Sequence, residues 1–279
     1  MFRIVEREQL APSVHRLRVE APYVAAKTQP GQFVILIVDE VGERVPFTVS
    51  DWDREAGTVD FVFLEVGRTT RQMATLNAGD TLSHFIGPLG RPTEVDRYGH
   101  VVAIASGYGI AAIAPILEAL KEKGNRITTI LQAANPEAVF GRARLEAASD
   151  LLIPAVGEPN NGATSLGVLK GLLAQNDAHP VDRVIAMASM CVMRSVSEAT
   201  RSQKIKTMVH LTPIMVDGTG MCGACRLSVE GRNRFACVHG PEFDGHTVDG
   251  WEVLLARRCT YADESTLQQG FQCRGCSQW

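Results

Sequence analysis

The chain has 279 residues, 45% of them hydrophobic and 21% charged, with a formal net charge of −3. That length makes two or three domains with an ordinary globular balance, and the slight acidity argues against bulk nucleic-acid binding, which needs a basic face. No apolar run approaches the ~20 residues that span a membrane, and the opening "MFRIVEREQL" lacks an apolar core of signal-peptide length, so a soluble, cytoplasmic chain is expected.

Up to about residue 97, short runs of period-2 or continuous apolar character alternate with Gly, Pro and Asp. They are "SVHRLRVEAP", "QFVILIVDE", "RVPFTVSDW", "TVDFVFLEV" and "DTLSHFIGPLG". This pattern predicts a small antiparallel barrel or sandwich. A short helix is expected at "TTRQMATLN", after the Gly67 turn. From Tyr98 the period changes. "HVVAIAS", "RITTILQAA", "DLLIPAV", "DRVIAMA" and "IKTMVHL" read as buried strands, and "GIAAIAPILEALKEKG", "RARLEAAS", "SLGVLKGLLAQN" and "VMRSVSEATRS" as the helices between them. Strands alternating with helices predict right-handed βαβ units and a parallel sheet. The regularity stops near Thr212, where a cysteine-rich segment begins. The expected division is 1–97, 98–211 and 212–262, with a tail at 263–279.

The segment "DGTGMCGACRLSVEGRNRFACVHGPEFDG" holds three of the seven cysteines, spaced Cys222-x2-Cys225-x11-Cys237. With no export signal, thiols at this spacing read as metal ligands rather than a disulfide framework. Two intervening residues let Cys222 and Cys225 serve one metal centre from a single turn. Cys237 returns on a hairpin, "RLSVEGRNRFAC", folded around Gly231. Glycines at 218, 220 and 223 allow backbone N–H groups close to the sulfurs. Asp217 stands where plant-type ferredoxins place their first thiolate. These positions are read as the four ligands of a [2Fe–2S] cluster: Asp217, Cys222, Cys225 and Cys237. The harder carboxylate donor favours the ferric state and is expected to lower the potential. A zinc site completed by His239 or His246, and Asp217 as a mere turn cap, are the other readings these residues admit.

The stretch "LTPIMVDGTGMCGACRLSVEGRNRFACVHGPEFDGHTVD" resembles the cluster segment of the small subunit of NADH-dependent reduced ferredoxin:NADP+ oxidoreductase, also described as sulfide dehydrogenase-like FAD/NAD-binding protein. That family is related to the electron-transfer subunit of dihydroorotate dehydrogenase B, which has cysteine where this chain has Asp217. The resemblance covers nearly the whole chain, is strongest from Thr207 to Val248 and weakens after Tyr261. It implies that Asp217 is a ligand. It also implies a ferredoxin-reductase-like fold: an FAD-binding barrel, an αβα nucleotide-binding domain and a C-terminal [2Fe–2S] segment.

Taken alone, Arg44 reads as a solvated charge and "GRTT" as a helix cap, although a helix N-terminus with hydroxyls suits phosphate. The resemblance implies FAD at Arg44, Pro46, Phe47, Thr48, Phe63, Leu64, Glu65, Gly67, Thr69 and Thr70. In it the arginine neutralises pyrophosphate and the strand's hydroxyl approaches the isoalloxazine. "IGPLGRP" closes the barrel. In "ASGYGIAAIAP", Gly107 and Gly109 match the family's nucleotide turn, roughly G-G-G-x-G-x-A-P. Ala105, Ser106 and Ala112 depart from it, as do "QAANPE" and "VGEPNNG" at the later loops. NAD(H) or NADP(H) docking is therefore expected on a weakened motif, since side chains narrow the approach to pyrophosphate. The bland reading of the two glycines is a tight turn packing helix on sheet.

Cys191 stands near where ferredoxin reductases often have a cysteine beside the nicotinamide, but by itself reads as a buried thiol. Cys259, Cys273 and Cys276 in the tail are either a second metal site or free thiols. The expected function is an oxidoreductase subunit without catalytic acid or base, in which the cofactors carry the chemistry. The resemblance implies a larger partner flavoprotein with [4Fe–4S] clusters and extends to ferredoxin-linked electron bifurcation, which nothing in this chain's own residues encodes. A dihydroorotate dehydrogenase B-type subunit, and a relay subunit that binds no nucleotide, are the alternatives.

Overall fold

The computed structural model describes residues 1–157, 163–175 and 180–256. The first seven strands are β1 (Phe2–Ala11), β2 (Val14–Glu20), β3 (Phe33–Ile37), β4 (Val45–Asp53), β5 (Thr58–Leu64), β6 (Thr81–Leu82) and β7 (His84–Leu89). They make one antiparallel sheet in the order β6-β1-β2-β5-β4-β3-β7. Its two edge strands are separated in the chain by Ser83 alone, so the sheet has to curl round until its edges meet. Ser83 marks that corner, where its N–H bonds the Val38 carbonyl at 3.1 Å. The barrel interior holds Ile4, Leu17, Phe61, Phe63 and Met73. Two short helices, α1 (Pro22–Ala25) and α2 (Arg68–Met73), flank it.

Strand β1 was not expected from the sequence, because Glu6, Arg7 and Glu8 interrupt its apolar pattern. Glu6 and Glu8 lie on the barrel's polar face, while Arg7 points to the opposite one, where its guanidinium meets His15 Nδ1 at 3.4 Å. Arg18 spans Asp60, at 2.8 Å, and Glu6, also at 2.8 Å, while Arg16 reaches Asp60 at 3.0 Å. Burial pushes the Asp60 pKa up, against the opposing pull of the Arg18 hydrogen bond.

The second sheet follows the expected alternation: β8 (His100–Ser106), α3 (Gly109–Glu122), β9 (Arg126–Ala133), α4 (Arg142–Ala148), β10 (Leu151–Val156), α5 (Ala163–Ala174), β11 (Arg183–Met187), α6 (Met190–Arg201) and β12 (Lys206–His210). The parallel strands run β10-β9-β8-β11-β12. Strands β8 and β11 read as near-continuous apolar runs because helices cover both faces of the sheet. The strand order reverses between β8 and β11, the point beyond whose carboxyl ends open sheets of this kind place their ligand crevice.

The remaining elements are β13 (Arg226–Val229), β14 (Arg232–Phe235), α7 (Ala236–His239), β15 (Glu242–Asp244) and β16 (Val248–Asp249). The expected hairpin around Gly231 is β13–β14, with Gly231 at φ +68°. An unforeseen feature is β15, which joins the parallel sheet antiparallel to β12, with His210 opposite Glu242.

One buried cluster links all three parts. It contains Phe33 and Ile35 of the barrel, Val102 and Ile104 of the parallel sheet, and Cys225, Cys237 and Trp251 of the C-terminal segment. On the other side Arg144 clamps the two sheets together. It donates to the Ser50 carbonyl at 2.8 Å and to Glu118 at 2.6 Å.

The tightest backbone approach at the crevice is at Gly109. A β-carbon there would stand 2.2 Å from the Met187 carbonyl oxygen. Gly109→Ala is therefore expected to push α3 off β11 and to cost about 1–3 kcal/mol by overpacking. Denaturant unfolding of the purified variant measures this; a midpoint unchanged from wild type would contradict the packing described.

Candidate functional site

The loop from Asp217 to Cys225 lies on the barrel. A β-carbon on Gly218 would meet Ile35 Cδ1 and Leu89 Cδ1, both at 2.7 Å, so only glycine fits between loop and strand at φ +75°. Within the loop, the Asp217 carboxylate draws in successive N–H groups. Oδ1 accepts from Thr219 at 2.9 Å and Gly220 at 3.3 Å, and Oδ2 from Met221 at 2.9 Å and Cys222 at 2.7 Å. Partial burial pushes its pKa up, but the N–H groups of Thr219 and Cys222, the Cys222 thiol and the Gly220 N–H outweigh that and hold it at about 2. Such converging N–H groups form a concavity suited to anionic atoms.

The other two predicted ligands meet separately. Cys225 and Cys237 are buried, with their sulfurs 3.2 Å apart. Burial first, then the neighbouring Cys225, pushes the Cys237 thiol up to about 12, against a lowering by the Gly220 N–H. The predicted donor set is thus two pairs, Asp217 with exposed Cys222 and Cys225 with Cys237. No three such groups surround a single point among the described residues. Two pairs suit a two-iron centre better than one zinc ion. Both histidines of the zinc alternative are engaged elsewhere. The Phe235 N–H donates to His239 Nδ1 at 3.0 Å, and His246 Nε2 lies 2.9 Å from Thr200 Oγ1.

Strand β4 presents the predicted flavin residues on two faces. Phe47 points into the barrel, its ring 5.1 Å from that of Phe61 and 6.0 Å from that of Phe63. Pleating then puts Pro46 and Thr48 outside, beside Ile35 and Phe33 of β3. This is the surface on which the Gly218 loop rests. Phe63 is buried in the barrel and leaves no side-chain surface for a ligand. Glu65 takes the His15 Nε2, Leu64 is partly buried, and Arg44 is exposed. A β-carbon on Gly67 would meet nothing, so the start of α2 is open. The hydroxyls of that start already have local partners. Thr70 Oγ1 accepts from Val66 and Gly67, both at 3.0 Å, and Thr69 donates to Glu43 at 2.6 Å.

At the crevice, Gly107 has φ +57° and open space, while Gly109 is packed tight. Sequence reasoning missed two residues here. The Tyr108 hydroxyl lies 2.9 Å from Thr212 Oγ1 and so ties the turn to the start of the cysteine segment. His210, at the carboxyl end of β12, is 4% exposed and reaches Thr48 Oγ1 with Nε2 at 3.3 Å. Tyr108 occupies the variable position between Gly107 and Gly109 of the nucleotide turn, and for His210 the signal was a histidine closing a parallel strand. A cavity of about 610 Å³ beside Arg18, Asp51, Trp52 and Asp60 is lined by none of the predicted site residues. Part of "VGEPNNG" and all three tail cysteines lie outside the described residues.

A wrapped barrel, a parallel sheet with its crevice at the switch point, and a cysteine segment seated on the barrel define a ferredoxin-reductase-like electron-transfer protein. Comparison with known proteins agrees. Residues 212–249 match the family model for the iron-sulfur cluster binding domain of dihydroorotate dehydrogenase B. The Thermotoga maritima dihydroorotate dehydrogenase B (NAD(+)) electron transfer subunit homolog is 37% identical, over 95% of this chain and 93% of that protein. An uncharacterized protein from the adh 3' region of Clostridium beijerinckii is 38% identical, over 96% of this chain and 93% of that one. A solved structure of the NADH-dependent reduced ferredoxin-NADP oxidoreductase, described for flavin-based electron bifurcation, superimposes with a TM-score of 0.85 at 36% identity. It covers 96% of this chain and 97% of its own. The chain belongs to the family of dihydroorotate dehydrogenase B electron-transfer subunits and their homologs, and is an oxidoreductase subunit. Among the described residues no helix is long and apolar enough to cross a membrane.

Burial alone lowers the His210 pKa from 6.5 to about 4. Between those values the unfolded chain binds the proton that the folded chain refuses. His210 therefore contributes stability that is complete above pH 6.5 and is lost as pH falls toward 4. His210→Gln, which does not titrate, is expected to lose about 2 kcal/mol less than wild type between pH 6.5 and pH 5. Denaturant unfolding at the two pH values gives the difference; parallel losses would contradict it.

Proposed function

We propose that this chain carries electrons between a nicotinamide nucleotide, an FAD on the barrel and a [2Fe–2S] cluster, and delivers them to a larger flavoprotein subunit with [4Fe–4S] clusters. The observation that carries the reading is the seat of the Gly218 loop on Ile35, next to the Pro46–Thr48 face of β4. It brings the cluster ligands beside the flavin strand. When bound, the flavin takes up two electrons and releases them singly, and the cluster accepts one at a time. The partition proposed is 1–97 for FAD, 98–211 for nucleotide and 212–262 for the cluster, with 263–279 as a tail.

The chain's own residues bind, orient and exclude water. Arg44 offers its exposed charge to pyrophosphate, and Gly67 leaves backbone open at the start of α2. Pro46 and Thr48 present the ring-side surface. Asp217 and Cys222 would hold one iron, and Cys225 and Cys237 the other. Burial of the second pair keeps water from that side. The first pair faces solvent among exposed apolar residues, Met221, Val216 and Ile214, a surface suited to the larger subunit. The fourth ligand being a carboxylate distinguishes this chain from an all-cysteine donor set.

Anaerobically purified protein is expected to contain iron and acid-labile sulfide in equal amounts and no zinc. Asp217→Ala is expected to lose most of the iron. Asp217→Cys is expected to keep it with a raised cluster potential, read by redox titration of the reduced paramagnetic signal. Zinc in place of iron, or full iron in Asp217→Ala, would refute the ligand set.

The substituted turn supports a second reading, a relay that takes electrons only from its partner. Ala105 and Ser106 stand where the family has glycine, and Tyr108 is tied to Thr212. Anaerobic mixing of FAD-loaded protein with NADH and NADPH decides between them. Bleaching of the flavin absorbance by at least one nucleotide is expected, and no bleaching by either would establish the relay.

A further inference from the structure

The contact between Thr48 and His210 spans 162 positions of sequence and joins the flavin strand to the last parallel strand. His210 is almost wholly buried, and among the described residues its Nδ1 has no hydrogen-bond partner. A neutral imidazole has one nitrogen that donates and one that accepts. Were the hydrogen on Nδ1, a buried N–H would stand without an acceptor, a costlier arrangement than a bare lone pair. The network therefore assigns the hydrogen to Nε2, which donates to Thr48 Oγ1. The Thr48 oxygen is then an acceptor toward His210, and its own hydrogen has to point elsewhere. Thr48 is only half-buried, on the outer face of β4.

We propose that His210 is a positioning residue for the flavin: by donating to Thr48 Oγ1 it turns the Thr48 hydroxyl hydrogen toward the ring and so favours the oxidised cofactor. The reasoning rests on the reading of FAD against β4. Oxidised flavin presents ring nitrogens that accept a hydrogen bond, and reduction places hydrogen on them, so a fixed donor at that edge serves the oxidised form. No bond is made or broken by His210; it acts through the hydroxyl it orients. Burial keeps the imidazole neutral, which preserves the single donor.

The test is redox titration of the flavin in FAD-loaded protein, with FAD content and thermal midpoint measured on the same samples. His210→Phe fills the space without a donor. It is expected to shift the oxidised-to-reduced equilibrium about tenfold toward the reduced form, roughly 30 mV upward for the two-electron couple. His210→Gln, whose amide can donate, is expected to restore most of the wild-type value. Thr48→Val should raise the potential similarly, and adding His210→Phe to it should change the potential no further. A His210→Phe protein with a lower melting point but unmoved potential would show a merely structural latch and overturn the proposal, as would a downward shift or additive shifts in the double variant. Should His210→Phe fail to fold, an unmoved potential in Thr48→Val overturns it equally. Wild-type protein that takes up no FAD would sink the flavin reading itself, which the FAD content distinguishes from failure of the proposal alone.

Discussion

The outer face of two neighbouring barrel strands is the surface on which this molecule is organised. Phe33 and Ile35 of β3 and Pro46 and Thr48 of β4 point away from the barrel interior because pleated strands send alternate side chains to opposite faces. On that face the Asp217–Cys225 loop comes so close that no β-carbon fits at Gly218, and the end of the parallel sheet comes close enough for His210 to meet Thr48. Remove that close packing and the cysteines, the outer face of β4 and the switch point of the parallel sheet become three unrelated features of one chain. With it they share one buried core.

Electrostatics then decide what the shared face can hold. The Asp217 loop directs backbone N–H groups inward and keeps the carboxylate ionised well below the usual range. A few residues away, the buried Cys237 thiol is pushed strongly toward its neutral form, foremost by burial. Those N–H groups are taken up by the Asp217 carboxylate, and the Arg226 guanidinium lies over the Phe235 ring beside the same loop. A bound metal centre would bring the thiols to their anionic form, since coordination replaces the thiol proton. The division of the donors into two pairs matches the two metals of such a centre.

The seam between barrel and parallel sheet is closed by different chemistry at different points. Arg144 bridges it with a partly buried charge shared among Glu118, Asp51 and the Ser50 carbonyl. The Thr48–His210 contact closes it with a neutral hydrogen bond, and a second neutral bond, Tyr108–Thr212, ties the turn after β8 to the start of the cysteine segment. Neutral contacts there leave the local field to whatever ligand binds, whereas the charged clamp is held at α4.

Apolar periodicity by itself determined the division into an antiparallel barrel and a parallel α/β sheet, and the cysteine spacing with its glycines determined the ligand candidates. Both are local signals, since a strand's pattern and a loop's glycines are written in adjacent residues. Strand β1 escaped notice because Glu6 and Glu8 make sense only once Arg16 and Arg18 lie opposite them, and Arg7 only once His15 does. Strand β15 escaped because three residues, "EFD", carry no period and gain their place from the open edge of β12. Only the tertiary structure could decide that Phe47 faces the barrel while Thr48 faces His210, and that the four ligand candidates divide two and two. Each of these depends on residues far apart in the chain being pressed together, and contact across such distances is set by the packing of whole sheets rather than by any neighbouring residue.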